Sequence, residues 1–244
     1  MKIFNFDIER GVYSFEFSDL ETELHAHPVV EIISATEGHF SIELDSRRKD
    51  DLTFAIIDAN TKHKVSSHRA VLSILMVECN NSLLANYLSG RGVEIKKDGL
   101  FAKSNFPSKN KLIAEVHNLA NTTDLKSPID LRIKESITYI QENEIEYKSL
   151  MTILTSKVFL SESRLSHLFK QHVGISIKKY LVWDKLRKAV SRYLMDQGSL
   201  TEVSLQSGFF DQAHLSKSFK SQLGISPSKA YNSRILQSRW PSRF

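Results

Sequence analysis

The segment LSHLFKQHVGIS, from Leu165 to Ser176, returns as LSKSFKSQLGIS from Leu215 to Ser226. In both copies a leucine and a phenylalanine four residues later share one face of a helix, which runs up to a glycine suited to a left-handed turn. The opposite face carries small or hydrogen-bonding side chains. The sequence therefore predicts one helical unit used twice, packed on one side and able to enter a DNA groove with the other.

Each repeated helix is preceded by a shorter apolar helix and a turn. In the first copy the turn leads to Ser161 as N-cap, and in the second the turn at Gly208 leads to Asp211. This order predicts two helix-turn-helix units, at about residues 149–172 and 200–222.

One long helix, from Ile177 to about Met195, is predicted between the two units. Such a helix would hold two recognition helices at a fixed spacing on one monomer. They would then enter successive major grooves about 34 Å apart, so the expected DNA site is bipartite.

The repeated units resemble the DNA-binding domain of the AraC/XylS family of transcriptional regulators, from near Ser127 to near Arg234. The residues that carry the resemblance are Gly208, Phe209, Asp211, Phe219, Lys220, Gly224, Ser226 and Pro227, with Ser161, Leu165, Phe169, Lys170, Gly174, Tyr180, Leu186 and Ala189. The resemblance implies a DNA-binding regulator with a cupin-like N-terminal sensor domain. The expected fold class is α+β: a β-barrel or jelly roll followed by helices, then an all-α domain with two helix-turn-helix units joined by a long helix.

The chain departs from the family pattern at four positions. Thr155 and Ser204 stand where the family usually has alanine, Lys185 where an arginine is common, and Phe159 where the first turn usually has glycine. Because phenylalanine does not adopt a positive φ cheaply, the first turn is predicted to be either built differently or strained.

Outward-facing polar side chains on the recognition helices are the predicted DNA contacts, with plain solvation as the alternative for each. The candidates for base edges are Ser163, Ser166 and His167 in the first unit and Gln212, Ser216 and Lys217 in the second. The candidates for phosphate contacts are Arg164, Lys170, His214 and Lys220. Further positive charge on or near the connecting helix is predicted from Lys178, Lys179, Arg187, Lys188 and Arg192.

Charge is divided unevenly along the chain of 244 residues. From position 123 onward there are 19 Lys plus Arg against 11 Asp plus Glu, a net charge of +8, and the remainder carries 14 against 17, or −3. The asymmetry fits double-stranded DNA as partner of the C-terminal half alone, although solubility is an alternative reason for a charge of this size.

Cys79 is the only cysteine, which excludes an internal disulfide and a cysteine-rich zinc module. The first residues lack the apolar stretch of a signal peptide, and no segment has the length of a membrane span. A cytoplasmic protein without membrane association is expected.

The N-terminal half contains short alternating runs, near residues 11–17, 29–33, 40–44 and 72–77. Alternation with turn residues between the runs predicts strands, and many short strands favour a small barrel or jelly roll closed around an interior.

Within these runs, His25, His27 and Glu31 match the first half of the cupin metal motif in spacing, and His63 is the candidate fourth ligand. On a continuous strand the first three would share one face and could hold a divalent metal. The sequence matches the second half of the motif poorly, which favours other roles for these histidines: hydrogen bonds to an effector, or to turn backbone. No cofactor is expected, with a divalent metal at this site as the alternative.

A polar segment at residues 121–126 is the predicted linker, so the expected domains are residues 1–122 and 123–244. The helical part of the first domain, about 107–121, carries an apolar stripe that either packs on its own barrel or pairs with a second copy. In the AraC/XylS family this region often dimerises, which implies a homodimer. The next helix is expected to begin at Ser127-Pro128 with Asp130.

These observations predict a sequence-specific DNA-binding transcriptional regulator, modulated by a small-molecule effector, by dimerisation or by both. RNA polymerase is an expected partner, and an activator is the expected type, with repression as the open alternative. It is not expected to be an enzyme. The alternatives are a cupin metalloenzyme with a helical interaction module, and an activator whose N-terminal domain is structural and binds no ligand.

Overall fold

The computed structural model describes residues 1–45, 47–78, 99–102, 130–195 and 198–231. The N-terminal part is built of strands, as the alternating runs predict. They are β1 (Lys2–Asp7), β2 (Val12–Ser18), β3 (Val30–Glu37), β4 (Phe40–Leu44), β5 (Arg47–Leu52), β6 (Phe54–Ile57), β7 (Lys64–Ser67), β8 (Val71–Val77) and β9 (Leu100–Ala102).

These strands form two antiparallel sheets. One has six strands in the order β1-β2-β8-β3-β6-β9, and the other has three in the order β5-β4-β7. The buried residues of β4 alternate along the strand, and β3 and β6 are almost wholly buried because they are central to the sandwich.

A closed barrel, as expected from the sequence, is wrong for the described residues. Closure requires the edge strands to pair, yet β1 pairs with β2 and β9 with β6 as the two edges of the larger sheet. At the edge of the smaller sheet β5 presents the charged run RRKDD to solvent, a composition typical of an edge that stays unpaired.

The C-terminal part is helical. Its helices are α1 (Leu131–Glu142), α2 (Tyr147–Val158), α3 (Glu162–Val173), α4 (Ile177–Leu194), α5 (Leu200–Gln206), α6 (Gln212–Leu223) and α7 (Pro227–Tyr231). The predicted connecting helix is α4, and the two helix-turn-helix units are α2–α3 and α5–α6.

The caps predicted for the two recognition helices are confirmed. Ser161 accepts a hydrogen bond from the Arg164 amide, and Asp211 accepts one from the His214 amide. Both helices end at the predicted glycines, Gly174 and Gly224, in the left-handed conformation. The start of α1 differs from expectation: its N-cap is Asp130, whose carboxylate accepts from the Arg132 amide, three residues after Ser127.

The turn of the first unit contains the strained alternative foreseen for Phe159. This residue caps α2 with φ 52° and ψ 42°, and its side chain is 91% exposed. The conformation that glycine usually supplies is therefore adopted by a residue with a Cβ, without buried contacts in compensation.

Two hydrophobic cores hold the helical part. One lies among α1, α2, α3 and the start of α4, with Phe169 and Leu154 at its centre. The other is continuous with the core of the sheets, because Trp183 and Leu186 of α4 and Phe219 of α6 pack with residues of the strands.

A buried polar cluster also joins the two parts of the chain. Glu78, after β8, accepts hydrogen bonds from Tyr13 at 2.6 Å and from the Trp183 indole at 2.7 Å, and Arg187 lies 3.2 Å from its carboxylate. Arg187 also pairs with Asp184 at 2.6 Å. Burial opposes the charge on Arg187, but the Glu78 carboxylate raises the pKa of the guanidinium well above its usual value.

Several expectations fall outside the described residues. They are the domain boundary at 122/123, the linker, the helical part about 107–121 with its apolar stripe, and Cys79.

Candidate DNA interface and sensor site

The first recognition helix, α3, presents its predicted polar face to solvent. Ser163, Arg164, His167 and Lys170 are exposed, and Ser166 is half-buried. Leu165, Leu168 and Phe169 point into the core and fix this orientation. The side chains predicted for DNA contact in the first unit therefore share one accessible face.

The second recognition helix, α6, has the same arrangement with more intramolecular contacts. Gln212, His214, Lys217 and Lys220 are exposed and Ser216 is half-buried. Gln212 Oε1 accepts a hydrogen bond from the Thr201 hydroxyl at 2.9 Å. The His214 ring packs edge-on against Phe209, with 5.3 Å between ring centroids.

The C-terminal end of α6 is docked on the loop before β3. Lys220 Nζ lies 2.6 Å from a carboxylate oxygen of Glu23, and the Glu23 amide donates to the Gly224 carbonyl at 2.7 Å. A Cβ at position 224 would lie 2.8 Å from the Glu23 carbonyl oxygen and 2.6 Å from His25 Nδ1. Glycine is thus required here both by its φ of 69° and by close packing. We call these contacts between residues 22–25 and residues 220–224 the latch.

Three of the cations expected to attract DNA from the connecting helix are engaged within the protein. Arg187 is 3% exposed and belongs to the buried cluster with Glu78, so assigning it to DNA is wrong. Lys188 pairs with Asp184 at 2.8 Å, and Arg192 pairs with Glu144 at 2.7 Å. Lys178 and Lys179 are exposed, as expected.

Two acidic residues lie between α1 and α2. Glu144 pairs with Arg192 at 2.7 Å, and Glu146 is the N-cap residue of α2 without a side-chain cap hydrogen bond.

In the N-terminal part, His25, His27, Glu31 and His63 come together and are buried. One nitrogen from each imidazole lies within 4.8 Å of the others. Glu31 Oε2 lies 2.9 Å from His63 Nε2 and 3.4 Å from His27 Nε2. These four residues, defined here as the histidine cluster, are therefore one site.

The continuous strand expected for His25, His27 and Glu31 is not formed. β3 begins only at Val30, so Glu31 is its one member in the cluster, and His25 and His27 lie on the loop before it. His25 forms an isolated antiparallel bridge with His63, with amide-to-carbonyl distances of 3.0 and 2.9 Å. Pro28, which cannot donate to a ladder, follows His27 and is consistent with the irregular backbone.

Burial controls the charge of this cluster. Desolvation, helped by the nearby His63 and His27, lowers the pKa of His25 to about 3, so this imidazole is neutral near pH 7. Burial alone would raise the pKa of Glu31, but the adjacent His27 and His63 hold it well below its usual value. The site therefore contains a buried carboxylate.

An apolar cavity of about 60 Å³ lies between the larger sheet and the helical part. Its walls are Phe6, Phe15, Phe17, Ile74 and Met76 from the strands, and Val190, Phe219, Leu223, Ile225 and Ala230 from α4, α6 and the segment after α6. Thr22, His25 and Glu31 form its polar end. The cavity thus touches both the histidine cluster and the second recognition helix.

Sequence reasoning missed Glu23 and Glu78, which join the two parts of the chain. Neither lies in a motif, and their partners are about 200 and 110 residues away, so no local signal marks them.

Comparison with known proteins assigns the helical part. A family model described as a helix-turn-helix domain matches residues 154–233, from the end of α2 through α7. The Arabinose operon regulatory protein of Escherichia coli is 32% identical over 105 residues, covering 43% of this chain and 36% of the relative. The helical part carries a helix-turn-helix domain.

A second regulator is similar over a longer stretch. The Msm operon regulatory protein of Streptococcus mutans is 30% identical over 142 residues, which is 53% of this chain and 50% of that protein. The chain thus matches about a third to a half of the length of these curated relatives.

The two-part fold is also similar to solved structures. The structure of ToxT from Vibrio cholerae aligns over 90% of this chain and 96% of its own, with a TM-score of 0.58 and 11% identity. Another ToxT structure, with a TM-score of 0.53 and 12% identity, holds an unsaturated fatty acid. At such identities the likeness concerns the fold, which combines a sheet-rich N-terminal part with a helical C-terminal part.

Within the described ranges, none of the helices combines the length and the apolar character needed to cross a membrane.

Proposed function

We propose that this protein is a sequence-specific transcriptional regulator that reads a bipartite DNA site with α3 and α6. The carrying observation is the pair of recognition helices, capped at equivalent residues, with equivalent faces exposed on either side of α4. Relatives that share this domain are operon regulators, which supports a regulatory rather than an enzymatic role.

The proposed DNA contacts follow from side-chain position. Near the helix starts, Ser163, Ser166, His167, Gln212, Ser216 and Lys217 contact base edges, and Arg164, Lys170, His214 and Lys220 contact phosphates. For Gln212 and Lys220 this requires giving up the Thr201 hydroxyl and the Glu23 carboxylate. The second unit is therefore the half of the interface that the rest of the protein can control.

The effector in this proposal is a mainly apolar small molecule with one polar group. The cavity supplies aromatic and aliphatic walls and a polar end at Thr22, His25 and Glu31. A volume of about 60 Å³ is well below the roughly 300–1,000 Å³ of typical ligand pockets. An effector would thus have to move α6 and the segment after it away from the sheet, which would strain the latch. The ligand shifts the equilibrium by its difference in affinity for the two arrangements.

The compartment, the partners and the oligomeric state in this proposal follow from the role of a transcriptional regulator. A regulator of this kind acts in the cytoplasm on double-stranded DNA, contacts RNA polymerase as an activator, and forms a homodimer through its N-terminal half.

The histidine cluster is the observation that favours the rival metalloenzyme. However, the relatives that match the helical part are regulators. In addition, α5 and α6 form a second helix-turn-helix unit, which an enzyme would not need. The regulator remains the better-supported function.

The test is selection of bound sequences from a random DNA pool by the full-length protein, followed by footprinting of the enriched sequence. Two short boxes about one helical turn apart are expected. Enrichment of a single box would contradict the bipartite reader, and no enrichment above random DNA would contradict DNA recognition itself.

The effector part is tested on the selected DNA with organic-solvent and aqueous extracts of the host cells. The organic extract should change the affinity or the footprint of the second box. Identical footprints with both extracts and with buffer would remove the effector from the proposal and leave DNA recognition standing.

A further inference from the structure

The two large apolar side chains that are most exposed among the described residues both lie in the turns of the helix-turn-helix units. Phe159, in the first turn, is 91% exposed, and Phe210, in the second turn, is 84% exposed. Single exposed apolar side chains are common on protein surfaces, so exposure alone indicates no function. The shared location of the two rings within a repeated unit is what requires an explanation.

The backbone of the first turn holds Phe159 in place at a cost. Its φ of 52° is the left-handed conformation that Gly208, with a φ of 74°, adopts in the second turn. Leu160, the next residue, packs against the core of the first unit, and Ser161 then caps α3. Glycine would adopt this conformation without strain, and strained residues that persist in a fold concentrate at functional sites.

The second turn has one residue more between its left-handed residue and the helix cap, and this additional residue is Phe210. Phe209, before it, is buried, and Asp211, after it, caps α6. The Phe210 amide donates a hydrogen bond to His214 Nδ1 at 3.5 Å. Because the backbone is fixed on both sides, the Phe210 ring projects into solvent directly before the start of α6.

The starts of α3 and α6 are the parts of the protein that reach DNA bases in the proposed function. A recognition helix presents its N-terminal residues to base edges in the major groove. The apolar group on those edges is the C5-methyl of thymine, and phenylalanine is one of the side chains that contact it. A ring fixed one or two residues before the N-cap is therefore close to such a methyl group when the helix is docked.

The side chains already proposed for base edges leave this chemistry to another group. All six are polar, and polar side chains recognise hydrogen-bond donors and acceptors on the bases. They are Ser163, Ser166, His167, Gln212, Ser216 and Lys217. An apolar ring beside each polar set would complete the recognition of a box that contains thymine.

We propose, resting on the DNA-binding function proposed above, that Phe159 and Phe210 each contact the C5-methyl of a thymine at the edge of one box. Phe159 serves the box bound by α3, and Phe210 serves the box bound by α6. The contact involves no charge, so it adds base preference without adding attraction to phosphate. The strained backbone at Phe159 is thereby assigned a role in DNA recognition.

The first experiment is selection from a random DNA pool by the full-length wild-type protein, Phe159→Ala and Phe210→Ala. The wild-type protein should enrich thymine at one edge position of each box. Phe159→Ala should lose this preference in the first box alone, and Phe210→Ala in the second box alone. Phe4→Ala is the matched control, because it removes a ring that is 60% exposed on β1, and it should enrich the wild-type sequence. Circular dichroism establishes that the variants fold.

The second experiment removes the methyl group from the DNA instead of the ring from the protein. Replacing the enriched thymine by deoxyuridine deletes only the C5-methyl and should weaken wild-type binding by about fourfold, as expected for one buried methyl group. The same replacement in the second box should not weaken binding by Phe210→Ala further, because the two changes remove one contact. Phe210→Leu keeps an apolar side chain and should retain most of the methyl preference. The salt dependence should be equal in all these proteins, since no charge is altered.

Two boxes enriched without a thymine preference would overturn this inference and leave the bipartite reader standing. Equal losses on deoxyuridine DNA in the wild-type protein and in Phe210→Ala would also overturn it, because another group would then contact the methyl. Wild-type affinity and preference in both alanine variants would show that the rings face a protein partner and not DNA. Absence of any enriched sequence would overturn the proposed function together with this contact.

Discussion

At the scale of single residues, Phe159 adopts the left-handed backbone conformation, which its Cβ disfavours. The left-handed conformation costs a residue with a Cβ roughly 1–2 kcal/mol, and 91% exposure leaves little packing to offset it. Phe159→Gly should therefore stabilise the protein by about 1 kcal/mol, a rise of roughly 2–4 °C in melting temperature for a protein of this size.

Phe159→Ala is the matched control, since it removes the ring and keeps the Cβ. Thermal melting of both variants separates the effects: an equal rise in Phe159→Ala would attribute the gain to loss of an exposed ring, not to the backbone.

Arg187, unlike Phe159, is stabilised by its surroundings, because its buried charge is paired with carboxylates. Removing it leaves the Glu78 and Asp184 carboxylates buried without their main cation. Arg187→Met should lower the free energy of unfolding by about 3–5 kcal/mol in urea denaturation. Arg48→Met, which breaks an exposed pair with Asp50, should leave it nearly unchanged. Similar losses in the two variants would show that the buried cluster is not a stabilising contact between the two parts.

At the scale of elements, the two exposed lysines of α6 should separate base reading from phosphate binding. Lys217→Ala is expected to change base preference in one box of the selected site. Lys220→Ala should weaken binding to all sequences and lower the dependence of log affinity on log salt by roughly one. Selection and salt titration with both variants make the comparison. If each variant shows the same pair of effects, the helix faces DNA with a different side.

The elements that sequence reasoning predicted well are those whose signals are local. Ser161 and Asp211 mark helix starts because a short side chain can accept a hydrogen bond from an amide three residues on. Gly174 and Gly224 mark helix ends because the left-handed turn excludes most side chains. Strand alternation likewise located β2, β3, β4 and β8, yet alternation does not encode which strands pair, so it could not distinguish two sheets from a closed barrel.

At the scale of the whole molecule, the contacts between the parts were not predictable from the sequence. Glu23 contacts α6 and Glu78 contacts α4, and in each pair the partners are far apart in sequence and meet only in the folded chain. Arginine is a common residue type in DNA interfaces, but Arg187 lies in the core. Spacing identified the four members of the histidine cluster, but the bridge that brings His25 to His63 depends on an irregular loop before β3 that the spacing does not show.

The latch gives the whole-molecule prediction. Lys220 Nζ is held by the Glu23 carboxylate, so one of the proposed phosphate contacts of α6 is occupied within the protein. The two side chains are 48% and 66% exposed, and a pair of this exposure is worth at most about 1 kcal/mol. Glu23→Gln should thus raise affinity for the bipartite site by about two- to fivefold. The salt dependence should stay close to that of the wild-type protein, because Lys220 contacts the same phosphate in both proteins once DNA is bound.

Glu21→Gln is the control for this prediction, because it removes the same charge two residues away, where the carboxylate pairs with Lys64 instead. Both variants are compared in fluorescence anisotropy titrations at several salt concentrations, on the full site and on a site with its second box scrambled. The gain should belong to Glu23→Gln alone and vanish on the scrambled site, since only α6 is released. An equal gain in Glu21→Gln would trace the effect to overall charge, and a gain that survives scrambling would place the released lysine outside the second reader.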